Sequence, residues 1–70
     1  MSPADCVIKA FGGVRATARA LGKTPGAIVF WRRKGWIPAH MQFTILAIAE
    51  KDGVDITAEE VVIGRDVTIK

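Results

Sequence analysis

The fold is decided by residues 11–38, which read FGGVRATARALGKTPGAIVFWRRKGWIP. Glycine signals divide this stretch into segments. The Gly12-Gly13 pair ends a preceding helix, and Gly22 suits the left-handed conformation that a chain adopts just after a helix. We therefore predict a short helix over residues 14–21, followed by a tight turn.

A second helix is predicted over residues 25–34. Thr24 is a good N-cap, and the fixed φ of Pro25 suits the first helical turn. Gly35 marks the end of the helix. The apolar run at residues 27–31 also fits a buried strand, which periodicity alone does not distinguish from a buried helix. The start and stop signals at both ends favour the helix.

Two short helices joined by a glycine turn form a helix-turn-helix when they cross at a steep angle. Ala18 is small at the position where the two backbones would approach. Winding the second helix at about 3.6 residues per turn places Ile28 and Trp31 on one side of it. The opposite side then carries Gly26, Val29, Phe30 and Arg33.

The flanking sequence predicts further helices of the same bundle. Ser2 is the N-cap of a first helix that ends at Phe11, and its buried side would consist of Cys6, Val7, Ala10 and Phe11. Pro38 opens a fourth helix, which runs to about Lys51 with Met41, Ile45, Ile48 and Ala49 at helical spacing. The leftover strip with Phe43 and Ala47 is a candidate contact with another subunit.

The end of the chain carries two weaker signals. Thr57 and Glu60 have the spacing of a capping box, which predicts a short helix near residues 58–62. Residues 66–70 alternate polar and apolar side chains, as in an edge strand or ordered arm, and a frayed end fits them equally. The predicted fold is thus all-α, a bundle of four to five helices at 1–65 with a tail at 66–70.

Charge is distributed unevenly along the chain. Residues 1–40 hold seven cations and one carboxylate, Asp5, a net charge of +6, whereas residues 41–70 hold three cations and six carboxylates, a net charge of −3. A face with such an excess of cations is typical of a protein that binds an anionic partner, and nucleic acid is the commonest one. A solvated cationic face without a partner is the alternative.

The sequence contains no recognisable catalytic or metal-binding set. The one cysteine, Cys6, excludes an intrachain disulfide and reads as a small buried apolar residue. The one histidine, His40, stands near the start of a helix, and a lone histidine there is far more often a surface or partly packed residue than a ligand or base. No segment approaches the ~20 apolar residues that span a bilayer, and no export signal is visible. We expect a cytoplasmic protein that is not an enzyme and has no cofactor or metal.

The outer side of the helix at 25–34 is the predicted DNA-binding face. Val29 and Phe30 can pack on thymine methyl groups in the major groove, and Arg33 can grip guanine O6 and N7. The predicted base-contacting residues are Pro25, Gly26, Val29, Phe30 and Arg33. The predicted phosphate-contacting residues are Arg15, Arg19, Lys23, Thr24, Arg32 and Lys34.

The run at 11–38 resembles the helix-turn-helix of the Cro-like and YdaS-type phage regulators. The pattern consists of a glycine pair, an alanine-bearing helix, Leu-Gly, a Ser/Thr cap, a tryptophan and a basic stretch leading to Gly-x-Ile-Pro. Here it is carried by Gly12, Gly13, Ala18, Leu21, Gly22, Thr24, Trp31, Gly35, Ile37 and Pro38. The resemblance implies a lambda-repressor/Cro-like fold and a small, usually dimeric, DNA-binding repressor or antitoxin-like regulator. The family usually carries Gln, Ser or Asn on the outer face and aliphatic residues at the positions of Thr17 and Lys23.

Three functions are compatible with these features. The first is a sequence-specific transcriptional regulator that binds double-stranded DNA as a homodimer. The second is an adaptor, in which Val29 and Phe30 dock on a protein of the transcription machinery and the cations assist from the rim. The third is a toxin-neutralising protein whose acidic C-terminal half contacts a basic partner.

Overall fold

The computed structural model describes residues 1–64, and all regular structure in this range is helical. The helices are α1 (Pro3–Phe11), α2 (Val14–Leu21), α3 (Pro25–Lys34), α4 (Ala39–Asp52) and α5 (Ala58–Val62). The predicted all-α bundle is confirmed, as is the choice of a helix over a strand for α3. The strand or arm predicted at 66–70 lies outside the described residues.

A capping side chain accepts a backbone hydrogen bond at the beginning of each of the helices α1, α3 and α5. Ser2 Oγ accepts a hydrogen bond from the Asp5 N–H at 3.1 Å, and it thereby starts α1. At α5, the Glu60 N–H donates to Thr57 Oγ1 at 3.1 Å, while the Thr57 N–H donates to Glu60 Oε1 at 3.0 Å. This reciprocal pair is the predicted capping box. The start of α4 differs slightly from the prediction, because Pro38 is its N-cap and the helix begins at Ala39.

All five helices contribute to the core: α1 packs against α2, α3 and α5, and α4 packs against α2 and α5. Val7, Ile28, Ile45 and Val61 are fully buried and come from four different helices. The buried side of α1 is shifted from its prediction, because Ala4 is fully buried while Ala10 and Phe11 are only half-buried. The small Ala4 side chain allows α1 to sit close to its neighbours.

Thr17 is a polar residue at a core position of α2. Its side chain is fully buried, and Thr17 Oγ1 donates a hydrogen bond to the Gly13 carbonyl oxygen at 2.7 Å. An unpaired hydroxyl at such a site would carry a desolvation penalty, which this bond removes. This hydrogen bond to the backbone at the start of α2 therefore allows a threonine at a core position that an aliphatic residue could fill.

The end of the described chain packs against its beginning. Gly64 is buried with a φ of 83°, and a Cβ atom placed on it would lie 2.9 Å from the Pro3 backbone nitrogen. Only glycine fits this approach without backbone movement. The contact holds the segment after α5 against the start of α1. In this described part of the chain, no helix is long and apolar enough to cross a membrane.

Candidate nucleic-acid interface

The turn between α2 and α3 is built from backbone hydrogen bonds and one capping side chain. Gly22 has a φ of 69°, and the Lys23 N–H donates to the Ala18 carbonyl oxygen at 2.9 Å. Thr24 Oγ1 accepts from the Ala27 N–H at 3.2 Å and starts α3. The Thr24 hydroxyl proton remains available for an outside acceptor. Together α2 and α3 form the most extensive helix–helix contact of the bundle.

The two sides of α3 have opposite environments. Ile28 is fully buried and Trp31 is 6% exposed, so these two side chains anchor the helix to the core. Gly26 and Arg33 are exposed on the opposite side, and Phe30 is 46% exposed. This is the arrangement that the helical spacing predicts. Val29 deviates in part, because it is half-buried at the margin of the outer side.

The cations predicted to contact phosphate or base all lie at the surface of the helix-turn-helix. They are Arg15, Arg19, Lys23, Arg32, Arg33 and Lys34. No Asp or Glu occurs between Asp5 and Glu50 in the sequence, and within residues 1–64 no carboxylate forms an ion pair with these cations. No carboxylate of the described residues therefore compensates their positive charge.

The two arginines of α2 destabilise this helix locally. Arg15 lies in the first turn, where the helix dipole disfavours a cation, and Arg19 stands one turn further along the same face. Gly13, the N-cap, provides no side-chain hydrogen bond, and the first turn contains no acidic residue. Burial of Thr17, Ala18 and Leu21 holds the helix in place. An external anion would relieve the repulsion between the two arginines.

The outer side of α3 continues into an aromatic cluster that the sequence interpretation missed. The rings of Phe30 and Trp36 meet edge to face, with centroids 6.0 Å apart and planes at 84°. Lys34 Nζ lies 5.6 Å from the Phe30 centroid. In this conformation Lys34 covers the ring, so a phosphate contact requires its side chain to swing away. One feature of the sequence could have indicated a role for Trp36. It lies just after the basic run, directly after Gly35, which ends α3.

Gly26 is the point at which α3 offers bare backbone on its outer side. A Cβ atom placed there would approach only Thr24 Oγ1, at an ordinary 3.9 Å, and the φ of Gly26 is not in the left-handed region. The position therefore accepts alanine without strain in the free protein. Glycine costs helix stability here, and its advantage would be close approach by a partner.

Gly26→Ala is expected to separate stability from binding. The free energy of unfolding should rise by about 0.5–1 kcal/mol, because alanine is the better helix former. If α3 lies in the major groove, as the sequence predicts, affinity for DNA should fall, because the added methyl group would stand between the helix backbone and the groove. Denaturant unfolding and a DNA titration of the same sample measure both. A variant that gains stability without losing affinity would show that this backbone does not approach DNA.

A second surface feature lies on the other helices. Phe43 on α4 is 87% exposed, and Ile63 after α5 is 69% exposed. Beside Phe43 is an uncharged groove of about 180 Å³, lined by Gln42, Phe43, Leu46, Ala58 and Val62. The apolar strip predicted from Phe43 and Ala47 is thus at the surface, and its neighbours on α5 extend it.

The remaining reactive side chains are dispersed. Cys6 is buried, and His40 is exposed at the start of α4. No three His, Cys, Asp or Glu side chains of residues 1–64 are grouped so that they could hold a metal ion. A further cavity, of about 280 Å³, lies between α1 and the segment that leads into α5. Its lining is Met1, Cys6, Lys9, Ala10, Asp55 and Glu60.

The chain matches no protein-family model, no curated protein and no solved structure. The case for a function therefore comes from the residues and the geometry described above.

Proposed function

We propose that the protein is a sequence-specific transcriptional regulator that binds double-stranded DNA with α3 in the major groove. One observation carries this proposal. Ile28 and Trp31 anchor α3 to the core, while its outer side stays open and is surrounded by cations that have no acidic partner within residues 1–64. The resemblance of residues 11–38 to Cro-like and YdaS-type regulators agrees with it. We place the protein in the cytoplasm, where it would act without cofactor, catalytic residue or membrane.

The residues divide into two roles. Arg33, exposed at the middle of the outer side, would form the bidentate contact to guanine, worth ~1–3 kcal/mol of discrimination. Pro25, Gly26, Val29 and Phe30 would lie against the bases around it. The cations at the edges would contact phosphates and fix the register of α3 on the duplex. The Thr24 hydroxyl and the Gly26 N–H would add a phosphate contact at the positive end of the helix dipole.

We propose a homodimer in which the groove beside Phe43 is the contact between two copies. A two-fold contact brings the same surface of both copies together, so a face rich in one sign of charge would repel itself. The groove between α4 and α5 has an uncharged lining, whereas the helix-turn-helix surface is cationic. The dimer would read two half-sites about one helical turn apart.

Selection of bound sequences from a random DNA pool tests the proposal. We expect enrichment of a palindrome, with guanine at one position of each half-site. Arg33→Ala should relax the preference at that position at a cost of ~1–3 kcal/mol. Arg32→Ala is the matched control, since loss of a phosphate contact should weaken all sequences equally. A pool without enrichment, at low and at moderate salt, would contradict sequence-specific binding.

The adaptor is the second candidate, and the exposed aromatic pair favours it. Phe30 is 46% exposed and Trp36 is 42% exposed, and neighbouring exposed apolar side chains often mark a protein contact. The DNA affinity of Phe30→Ser distinguishes the two functions. Reduced affinity supports the DNA-binding role of this side chain. Unchanged affinity, together with loss of a transcription partner, supports the adaptor.

A further inference from the structure

Trp36 reaches Phe30 only because the chain folds back after α3. In a continuous helix, residues six apart are displaced by about 9 Å along the axis and lie on different sides. Gly35 instead adopts a left-handed φ of 81°, which ends α3 and redirects the chain. The Trp36 ring then meets the Phe30 ring edge to face at 6.0 Å.

This contact restricts a side chain that would otherwise be free to choose among rotamers. A surface phenylalanine on a helix normally has two accessible χ1 rotamers. Phe30 packs against the Trp36 ring on one side, and it still exposes 46% of its surface. Since Lys34 leaves the ring when it contacts phosphate, Trp36 is the neighbour that restricts Phe30 on DNA, and this restriction reduces the entropy that binding must remove.

The chemistry of the fixed ring limits what it can recognise on DNA. Phe30 and Val29 have no hydrogen-bonding group in their side chains, so they cannot read the donors and acceptors of base edges. The apolar feature that the major groove presents is the C5-methyl group of thymine. The same methyl group is present on 5-methylcytosine. An aromatic side chain beside Arg33 on this face would therefore favour a methylated pyrimidine.

We propose that Phe30 reads a pyrimidine C5-methyl group and that Trp36 is the positioning residue that holds its ring for this contact. The inference rests on the proposed function, because it requires α3 to lie in the major groove. Trp36 would thus contribute to sequence specificity although it lies outside α3. It also explains why an aromatic pair stands where polar readout residues would be expected.

Methyl-group substitution in the DNA tests the proposal directly. The probe is the duplex enriched by the selection experiment, prepared with thymine or with uracil at one thymine position at a time. Uracil removes the methyl group and leaves every hydrogen-bonding group in place. For the wild-type protein we expect a loss of affinity of about fourfold for each contacted methyl group, the effect of burying one group of this size.

Three variants assign this effect to the two rings. Phe30→Ala should bind the thymine and uracil duplexes equally, and Trp36→Ala should reduce the fourfold ratio to about twofold or less, since the ring it holds becomes mobile. Trp36→Phe keeps an aromatic edge and should retain the full ratio. The ratio between two duplexes is measured on one protein sample, so a uniform change in stability or affinity does not alter it.

A second duplex pair distinguishes the two sources of the methyl group. At a contacted position, a C·G pair is compared with a 5-methylcytosine·G pair. If methylation of the cytosine raises the affinity about fourfold, the protein recognises the methyl group on either base. No recovery overturns the shared methyl chemistry and leaves a contact specific to the T·A pair.

Other results would overturn the proposal in identifiable ways. Equal wild-type binding to the thymine and uracil duplexes, or an enriched site without thymine, rules out methyl readout while DNA binding stands. A full ratio in Trp36→Ala rules out the positioning role of Trp36. Failure to bind any duplex instead contradicts the proposed function, and it leaves the aromatic pair to a protein partner.

Discussion

Raising the salt concentration from about 50 to about 200 mM is expected to weaken DNA binding by about 500-fold for each bound subunit. The five proposed phosphate-contacting cations are exposed and have no carboxylate partner within residues 1–64. They are Arg15, Arg19, Lys23, Arg32 and Lys34. Each contact that displaces a condensed counterion contributes about −0.9 to the slope of log affinity against log salt, which gives about −4.5 per subunit.

The same titration reports the number of subunits on the DNA. A dimer with both faces engaged should approach a slope of about −9, and a monomer should stay near about −4.5. Fluorescence anisotropy of a labelled duplex at four or five salt concentrations measures the slope. A binding curve that barely moves with ionic strength would contradict a phosphate-contacting surface.

Single substitutions test which cations contribute to the salt dependence of DNA binding. Arg19→Ala removes one cation of α2 and should reduce the slope by about 0.9 per subunit. Lys51→Ala is the control, because it also removes an exposed cation but lies at the end of α4, outside the helix-turn-helix. Its slope should equal that of the wild type. Equal slopes for both variants would show that Arg19 does not contact the backbone of DNA.

Trp31→Ala is expected to destabilise the protein by about 3–5 kcal/mol, the usual cost of truncating a buried tryptophan. Trp31 is 6% exposed, and with Ile28 it anchors α3 to the core. A domain of this length has a total free energy of unfolding of only about 3.5–10 kcal/mol at typical values per residue. We therefore expect Trp31→Ala to be largely or wholly unfolded at 37 °C and to lose DNA binding with its fold.

Phe43→Ala provides the control for this truncation. It also removes a large ring, but Phe43 is 87% exposed, so its loss should change the free energy of unfolding of the monomer by no more than about 0.5 kcal/mol. Thermal unfolding followed by circular dichroism at low protein concentration compares the two variants. A Trp31→Ala protein that melts near the wild-type temperature would show that α3 does not depend on this anchor.

The helices of this protein are largely determined by local sequence. The N-caps Ser2 and Thr24 and the left-handed glycines that follow α2 and α3 act within a few residues of the chain. These capping hydrogen bonds and glycine conformations involve only residues that are close in sequence, which is why the predicted limits of α2 and α3 agree with the structure. The apolar spacing of Ile28 and Trp31 likewise identified the buried side of α3.

The residues that sequence reasoning missed depend on contacts between distant segments or on a change in chain direction. The complete burial of Ala4 follows from the packing of α1 among three other helices, which no local pattern contains. Thr17 stands where an aliphatic residue is usual in the family that the chain resembles, and its burial depends on the hydrogen bond from its hydroxyl to the Gly13 carbonyl oxygen. Trp36 is only six residues from Phe30, yet no helical periodicity would pair them.

Local sequence accounts for the all-α bundle, for the limits of α2 and α3, and for which side of α3 faces inward. These features follow from capping, backbone conformation and helical periodicity, whose range is a few residues. The contact of Trp36 with Phe30 needs the change of chain direction at Gly35, which helical periodicity does not describe. Tertiary structure alone accounts for the groove that Phe43 forms with α5 and for the complete burial of Ala4. Both depend on how the helices are placed relative to one another, which is set by burial of the whole core.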